Sequence, residues 1–318
     1  MLLTLTASCL KGMLLPGPRS KKAKLDVLDL PNYTKDTLGL SGFNLSTDLL
    51  VGSTRARLEA IRERADRASC SCLLLIEPDP QNFGSKDEKL VLAAAQRMTN
   101  VVDAAHILGC SAASLKVEAV DDDDTLARVA KALKPIMERA EKVDINLVLA
   151  PHKGLTTKPE RVTELLKKVG GFRIGTYPDF ETAFETSGKK SDGAVSYLHR
   201  LTPYASAVCA STTGFGISPG KGKNATEVIN PENMGDPKNA SHVAYELRPL
   251  LEAVLSVGYD GPLALDYRGP GDVAAGLALS RSTILSALGA DEDDDDDLDD
   301  LMDELEAEDA PDAEESEP

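Results

Sequence analysis

The sequence predicts an α/β fold, a single (β/α)8 TIM barrel, from three observations. Eight short aliphatic runs alternate with eight amphipathic stretches over about 290 residues, the size of such a barrel. Leu38-Gly39, Leu108-Gly109, Val169-Gly170 and Val257-Gly258 end four helical stretches alike, with a glycine free to turn left-handed into the next strand. No glycine-rich phosphate turn follows the first strand, where a doubly wound sheet usually carries one.

The elements follow in order. Strands are predicted near residues 2–7, 40–45, 72–77, 114–119, 146–150, 173–177, 206–211 and 262–267. Cores such as Leu73–Ile76, Leu147–Leu149 and Leu263–Leu265 are short, apolar and not alternating, as strands buried on both faces should be. Helices are predicted near 25–36, 53–68, 86–108, 122–142, 158–169, 192–203, 239–257 and 272–288. Leu58, Ile61, Ala65 and Ala68 repeat at helical spacing behind Ser53, a candidate N-cap. Leu126, Val129, Leu133 and Ile136 follow the acidic start Asp121–Asp124, which suits the positive end of a helix. Thr157-Lys-Pro-Glu160 has capping-box spacing ahead of Val162, Leu165, Leu166 and Val169. Asn239 stands before Val243, Leu247, Leu250, Leu251 and Val254.

Charge divides the chain. Residues 291–318 hold 18 of the 52 acidic residues and no base, which leaves 34 acids against 35 bases elsewhere despite the net charge of −17. A nearly neutral body lacks the basic footprint of a nucleic-acid binder. The barrel is therefore assigned to residues 1–289. The acidic tail, 290–318, cannot bury enough apolar surface to fold alone and is expected to be disordered. Leu298, Leu301, Met302 and Leu305 mark one face of a short helix in it, so folding on a protein partner or covering the barrel mouth stands beside a solubilising role. Five cysteines, with Cys70-Ser71-Cys72 lacking CxxC spacing, are read as reduced structural thiols of a cytoplasmic protein. The apolar start has no basic flank and is too short to span a bilayer, so no membrane partner is expected, and Leu2 to Leu5 read as a strand rather than a lipoprotein signal ahead of Ala7-Ser8-Cys9.

In such a barrel the side chains just past the strand ends converge on one site. The ends offer Ser8, Asn44, Glu77 with Asp79, Glu118, His152, Asp179, Cys209 with Ser211, and Asp266 with Arg268. Carboxylates and a histidine gathered there suit a divalent cation or general acid–base work. A structural account stands beside each: His152 as a loop histidine, Asp179 as a helix N-cap, Asp266 paired with Arg268 or Lys116, Cys209 as a small core residue, and Lys116 with Glu118 as an internal ion pair. His106, His199 and His242 lie inside helix patterns and receive no role. The connection TTGFGISPGKGKNATEVINPENMGDPKN is long enough for a lid or binding loop. Its Gly214, Gly216, Gly220 and Gly222 with Lys221 and Lys223 could meet a phosphate, although GxxxxGK[ST] is not matched.

APHKGLTTKP, KKVGGFRIGTYPDF and GYDGPLALDYRG resemble the xylose-isomerase-like TIM barrels, including the sugar-phosphate isomerases and epimerases and, more distantly, the endonuclease IV type. The resemblance covers residues 1–288 and implies a divalent metal (Mn, Mg or Zn) held by a Glu, an Asp, a His and a Glu ending the fifth to eighth strands. Residue by residue, these positions fall on Ala150 beside a retained His152, on Asp179, on Cys209 and on Asp266. Zinc on Asp179, Cys209, Asp266 and His152, an altered oxygen-ligand site, and no metal all stay open. The activity implied is metal-assisted proton transfer next to a sugar carbonyl. Asp266 or His152 would handle protons, Glu77 or Glu118 would replace the missing carboxylate, and Lys116, Arg268, Lys221 and Lys223 would hold a sugar or sugar phosphate. The alternative is a barrel without catalysis that serves as a binding or scaffold protein. A nuclease is disfavoured, because four scattered histidines are poor material for a histidine-rich metal cluster.

Overall fold

A computed structural model of the chain describes residues 1–17, 20, 22–217, 227–235 and 239–289. Ten strands occur in these residues: β1 (Leu3–Thr6), β2 (Gly42–Ser46), β3 (Ser71–Ile76), β4 (Ala112–Leu115), β5 (Asn146–Leu149), β6 (Ile174–Thr176), β7 (Val208–Thr212), β8 (Phe215–Ile217), β9 (Ala240–His242) and β10 (Leu263–Tyr267). Eight form one parallel sheet in the order β6-β5-β4-β3-β2-β1-β10-β7. The two edges meet. The Ser206 N–H donates to the Thr176 carbonyl at 3.3 Å and the Cys209 N–H to the Pro178 carbonyl at 2.8 Å. The sheet therefore curls until β6 touches β7, the closure that removes exposed edges and makes a barrel.

The helices are α1 (Lys11–Leu14), α2 (Leu30–Asn32), α3 (Arg55–Arg67), α4 (Glu88–Leu108), α5 (Asp123–Lys142), α6 (Pro159–Val169), α7 (Phe180–Thr186), α8 (Ser191–Leu201), α9 (Leu247–Ser256) and α10 (Val273–Leu288). The acidic start of α5 behaves as expected: Asp122 accepts the Thr125 N–H at 2.7 Å. Several starts differ. Thr54 rather than Ser53 caps α3. Thr157 makes no capping box, because its hydroxyl donates to the His152 carbonyl at 3.2 Å. The helix expected from residue 239 begins at Leu247, since Ala240–His242 pairs antiparallel with Phe215–Ile217. Its apolar spacing runs on through a strand. The short helix α7 is an addition, and the stretch expected as one helix at 25–36 is a 3-10 turn, α2 and a π turn at Tyr33–Thr37.

Strand periodicity separates two apolar layers. Leu5, Phe43, Leu45, Leu75, Leu147 and Leu265 face outward and are fully buried against the helices, with Ile61, Met98, Leu133, Leu165 and Leu198 in the same cluster. Truncating one of them, such as Leu75→Ala, should cost about 2–5 kcal/mol. Leu74, Ala112, Val148, Ala150, Tyr177, Cys209 and Ala264 form a smaller cluster inside the barrel. Small side chains at Ala150 and Cys209, near the C-terminal ends, leave room there for a cavity. Among the described residues no helix is long and apolar enough to cross a membrane.

Candidate functional site

A cavity of about 320 Å³ opens at the C-terminal ends of the strands, and every strand of the barrel except β2 contributes to it or to the residues just beyond it. Thr6 and Ser8 come from β1, Ile76 and Pro78 from β3, Lys116 from β4, Ala150 and Pro151 from β5, Tyr177 and Asp179 from β6, Cys209 from β7, and Asp266 and Arg268 from β10.

One side is an ion-pair cluster centred on Arg268. Its backbone N–H donates to the Thr212 carbonyl at 2.7 Å, extending the β10–β7 ladder by one residue and aiming its side chain across the strand ends. Nε donates to Asp266 Oδ2 at 2.9 Å. Nη1 donates to Glu181 Oε2 at 2.5 Å and Asp179 Oδ1 at 3.3 Å. Nη2 donates to Asp179 Oδ2 and Asp266 Oδ2, both at 2.7 Å, and faces Cys209 Sγ at 3.7 Å. A guanidinium has five N–H donors, so these acceptors occupy all of them. Asp179 also caps α7, accepting the Thr182 N–H at 2.8 Å, and the Ser211 hydroxyl accepts the Glu181 N–H at 3.0 Å.

Burial and charge act on the two aspartates with different outcomes. Burial works to raise the Asp179 carboxyl, but the charge and hydrogen bonds of Arg268 outweigh it and hold Asp179 below the usual carboxylate range. At Asp266 burial wins; Arg268 offsets only part of it, and the neighbouring Asp179 and Glu181 push the same way as burial, so Asp266 is raised. Cys209 is pushed well up, by burial first and by Asp179 next, so it is a neutral thiol rather than a thiolate.

The other side is polar and incompletely paired. The Lys116 ammonium has no hydrogen-bond or ion-pair partner among the described residues. Thr6 Oγ1 and Tyr177 Oη are buried and make no hydrogen bond of normal geometry there, although Thr6 lies near enough to draw the phenol down slightly against the burial that pushes it well up. Neither hydroxyl stands out in the sequence. A threonine and a tyrosine in strands read as core, and only the inward parity of Thr6 and the Tyr-Pro-Asp sequence around Tyr177 point to the site.

Three expected participants are engaged elsewhere. Glu77, 1% exposed, accepts from Arg97 Nε at 2.7 Å and Thr47 Oγ1 at 3.1 Å, so it ties the end of β3 to α4. His152 Nε2 lies 2.9 Å from Glu118 Oε2, and Lys153 is 3.9 Å from the same carboxylate. Glu118 thus pairs with His152 and not with Lys116, and its pKa is lowered by that bond first and by Lys153. His152 and Glu118 stand outside the cavity lining, apart from Asp179, Cys209 and Asp266. The loops bearing them are stitched by the Leu155 N–H to the Ala119 carbonyl at 2.9 Å. Gly154 has φ +78°, and a Cβ there would meet that carbonyl oxygen at 2.0 Å, so only glycine fits. His242 lies in β9 and not in a helix. Lys221, Lys223 and the tail lie outside the described residues.

The donor set can be compared with what a divalent cation needs. Ala150 offers no donor, His152 is turned to Glu118, and both aspartates are taken by Arg268. Among the described residues no group of three or more His, Cys, Asp or Glu side chains is placed to hold a metal ion.

A family model described as xylose isomerase-like TIM barrel matches residues 35–283. No curated protein matches the chain. Among solved structures, an L-ribulose 3-epimerase superposes with a TM-score of 0.66 at 12% identity, covering 98% of this chain and 99% of that one. The IOLI protein with a bound zinc atom gives 0.62 at 13% identity, covering 90% and 98%. A xylose isomerase-like barrel from Mycobacterium smegmatis in complex with magnesium gives 0.60 at 13% identity, covering 91% and 97%. At these identities the likeness is one of fold.

Proposed function

The chain belongs to the xylose isomerase-like TIM barrel family, and from that premise we propose that it binds a small sugar or sugar-phosphate ligand in the barrel-mouth cavity and acts as a binding protein. The observation that carries this reading is the unpaired polar wall: a Lys116 ammonium without a partner beside the buried hydroxyls of Thr6 and Tyr177. Buried polar groups without partners are costly, about 1–3 kcal/mol each, and a hydroxylated ligand or ordered water relieves that cost. Lys116 supplies a charge for a phosphate or carboxylate, and the hydroxyls exchange hydrogen bonds with a polyol.

The opposite side of the cavity, the Arg268 cluster, argues against proton shuttling at carbon. A base must be free to accept a proton from the ligand. Within the cavity the carboxylates are Asp179 and Asp266, and both are already bound by Arg268. Glu77 is bound by Arg97, and Glu118 lies outside the cavity with His152. Sugar epimerisation is an activity of structural neighbours, and here its carboxylate machinery is committed to ion pairs.

Titration calorimetry with a panel of ketoses, aldoses and their phosphates, run beside an epimerisation assay on the same panel, tests the reading. Saturable one-to-one binding that weakens in Lys116→Ala, without turnover, is the expected result. Turnover of any bound sugar above background, or no binding across the panel, overturns it.

A further inference from the structure

The resemblance in the sequence implies a divalent cation at the ends of β5, β6, β7 and β10, where this chain carries Ala150, Asp179, Cys209 and Asp266. We propose that the Arg268 guanidinium is the resident cation of this barrel, standing where that ion would stand and replacing it. The inference does not depend on which ligand the cavity takes.

The geometry is specific to that position. A single atom, Nη2, faces the side chains at three of the four expected ligand positions: Asp179 and Asp266 at 2.7 Å and Cys209 at 3.7 Å. They come from the ends of β6 and β7, which meet at the closing seam of the barrel, and of β10, which pairs with β7. The fourth position, Ala150, lines the same cavity with only a methyl group. The substitutions fit one another. The position that loses its carboxylate, Ala150, makes no bond to the guanidinium, and Glu181 from the start of α7 supplies a third carboxylate in its place.

The replacement keeps a positive charge at the site, one unit smaller, and not the metal's chemistry. A catalytic metal keeps an open coordination position for substrate and acts as a Lewis acid. Arg268 has neither property: its five donors already have acceptors, and its charge is covalently tethered, always present and indifferent to chelators. Its partners are preorganised without any added ion, which leaves Lys116 as the unpaired cation among the described residues lining the cavity.

The test is metal binding, read independently of any activity. Free Mn²⁺ is followed by electron paramagnetic resonance, and thermal unfolding is recorded with Mn²⁺, Zn²⁺ or EDTA, for the wild-type chain and for Arg268→Met and Arg268→Met/Ala150→Glu, each checked for folding by circular dichroism. The wild type is expected to take up no stoichiometric Mn²⁺ or Zn²⁺ and to keep its unfolding temperature in EDTA. The folded double variant is expected to bind Mn²⁺ at least ten-fold more tightly than the wild type and to be stabilised by it. One Mn²⁺ or Zn²⁺ per wild-type chain would overturn the proposal, with its loss in a folded Asp179→Asn chain placing the ion at this site, and the wild-type measurement decides even if no variant folds. A folded double variant with no gain in metal affinity would overturn it as well. A sugar-binding failure would leave both readouts unchanged, so the two ideas fail separately.

Discussion

Arg268 grips Asp179 side-on across 89 residues of chain, Nη1 to Oδ1 at 3.3 Å and Nη2 to Oδ2 at 2.7 Å. This fork joins the end of β10 to the end of β6 over the intervening β7, and so fastens the barrel at its seam. Removing the guanidinium leaves two buried carboxylates without a counter-charge. Arg268→Ala should therefore cost about 3–5 kcal/mol, as breaking a buried pair does. Arg268→Lys should recover only part of it, because an ammonium keeps the charge and loses the planar fork. Urea denaturation of the three proteins checks both; an Arg268→Ala chain as stable as the wild type would refute the fastening role.

The two aspartates should respond differently to removal of their charge. Asp179 is held below its ordinary value, so the fold favours its ionised form; Asp266 is raised, so the fold disfavours its ionised form. Asp179→Asn is therefore expected to destabilise strongly at neutral pH and Asp266→Asn by clearly less. The signs with pH also differ. The stability from ionised Asp179 is complete above the ordinary aspartate value and is lost as pH falls through its lower folded value. Asp266 contributes the reverse, favouring the fold at acid pH and losing that contribution as pH rises through its raised value. The gap between wild type and Asp179→Asn should thus close in acid. Denaturation curves at neutral and acid pH measure it, and a gap independent of pH contradicts the assignment.

Lys116 offers a cleaner separation of binding from stability. Its ammonium has no partner among the described residues, so Lys116→Ala should leave unfolding within about 0.5 kcal/mol of wild type. A charged hydrogen bond contributes roughly 1.5–3 kcal/mol, so affinity for a phosphorylated or carboxylated sugar should fall about 10- to 100-fold. The neutral sugar of the same series should lose much less. Equal losses for charged and neutral ligands would show that Lys116 does not read the anion.

Much of this arrangement is legible in the residues, and the part that is not depends on closure of the barrel. The aliphatic runs and the glycine stops mark all eight barrel strands, because buried parallel strands leave that signature regardless of context. Asp179 as a helix cap and Asp266 beside Arg268 are local relations, and both readings hold. The reach of Arg268 to Asp179 is not local: it exists only because β7, lying between β10 and β6, brings the far edges together. Glu77 illustrates the converse case. A carboxylate at a strand end reads as chemistry, but its partner Arg97 lies in the following helix, where nothing in the sequence pairs the two. The helix expected from Asn239 fails because Val243 and Leu247 continue an apolar rhythm across the end of β9.

The Glu77 assignment carries its own test. A carboxylate that only ties β3 to α4 should matter for stability and not for the cavity. Glu77→Gln should cost about 1.5–3 kcal/mol, the loss of a charged hydrogen bond, because the Arg97 it leaves behind is half exposed and turns to water. Sugar affinity of the folded fraction should match the wild type within two-fold or so. A large loss of affinity with unchanged stability would return Glu77 to the functional site.

His242 should make the β8–β9 pair sensitive to acid. Its Nε2 accepts the Thr213 N–H at 2.9 Å, which in a neutral ring puts the proton on Nδ1, 2.9 Å from the Tyr245 carbonyl and 3.3 Å from the Tyr245 nitrogen. Protonating Nε2 would set a donor against a donor in a site walled by Phe215 and Tyr245. Burial accordingly lowers the ring to about 4, with the Tyr245 carbonyl opposing only in part. A histidine lowered in this way stabilises the fold fully above its unfolded value and loses that contribution as pH falls through the folded one. Between neutral pH and about 4 the wild type should lose roughly 3 kcal/mol that His242→Gln does not lose. Urea denaturation of the two proteins across that range measures the difference. Parallel stability curves would mean that the ring already titrates freely, and that its two hydrogen bonds do not hold the strand pair.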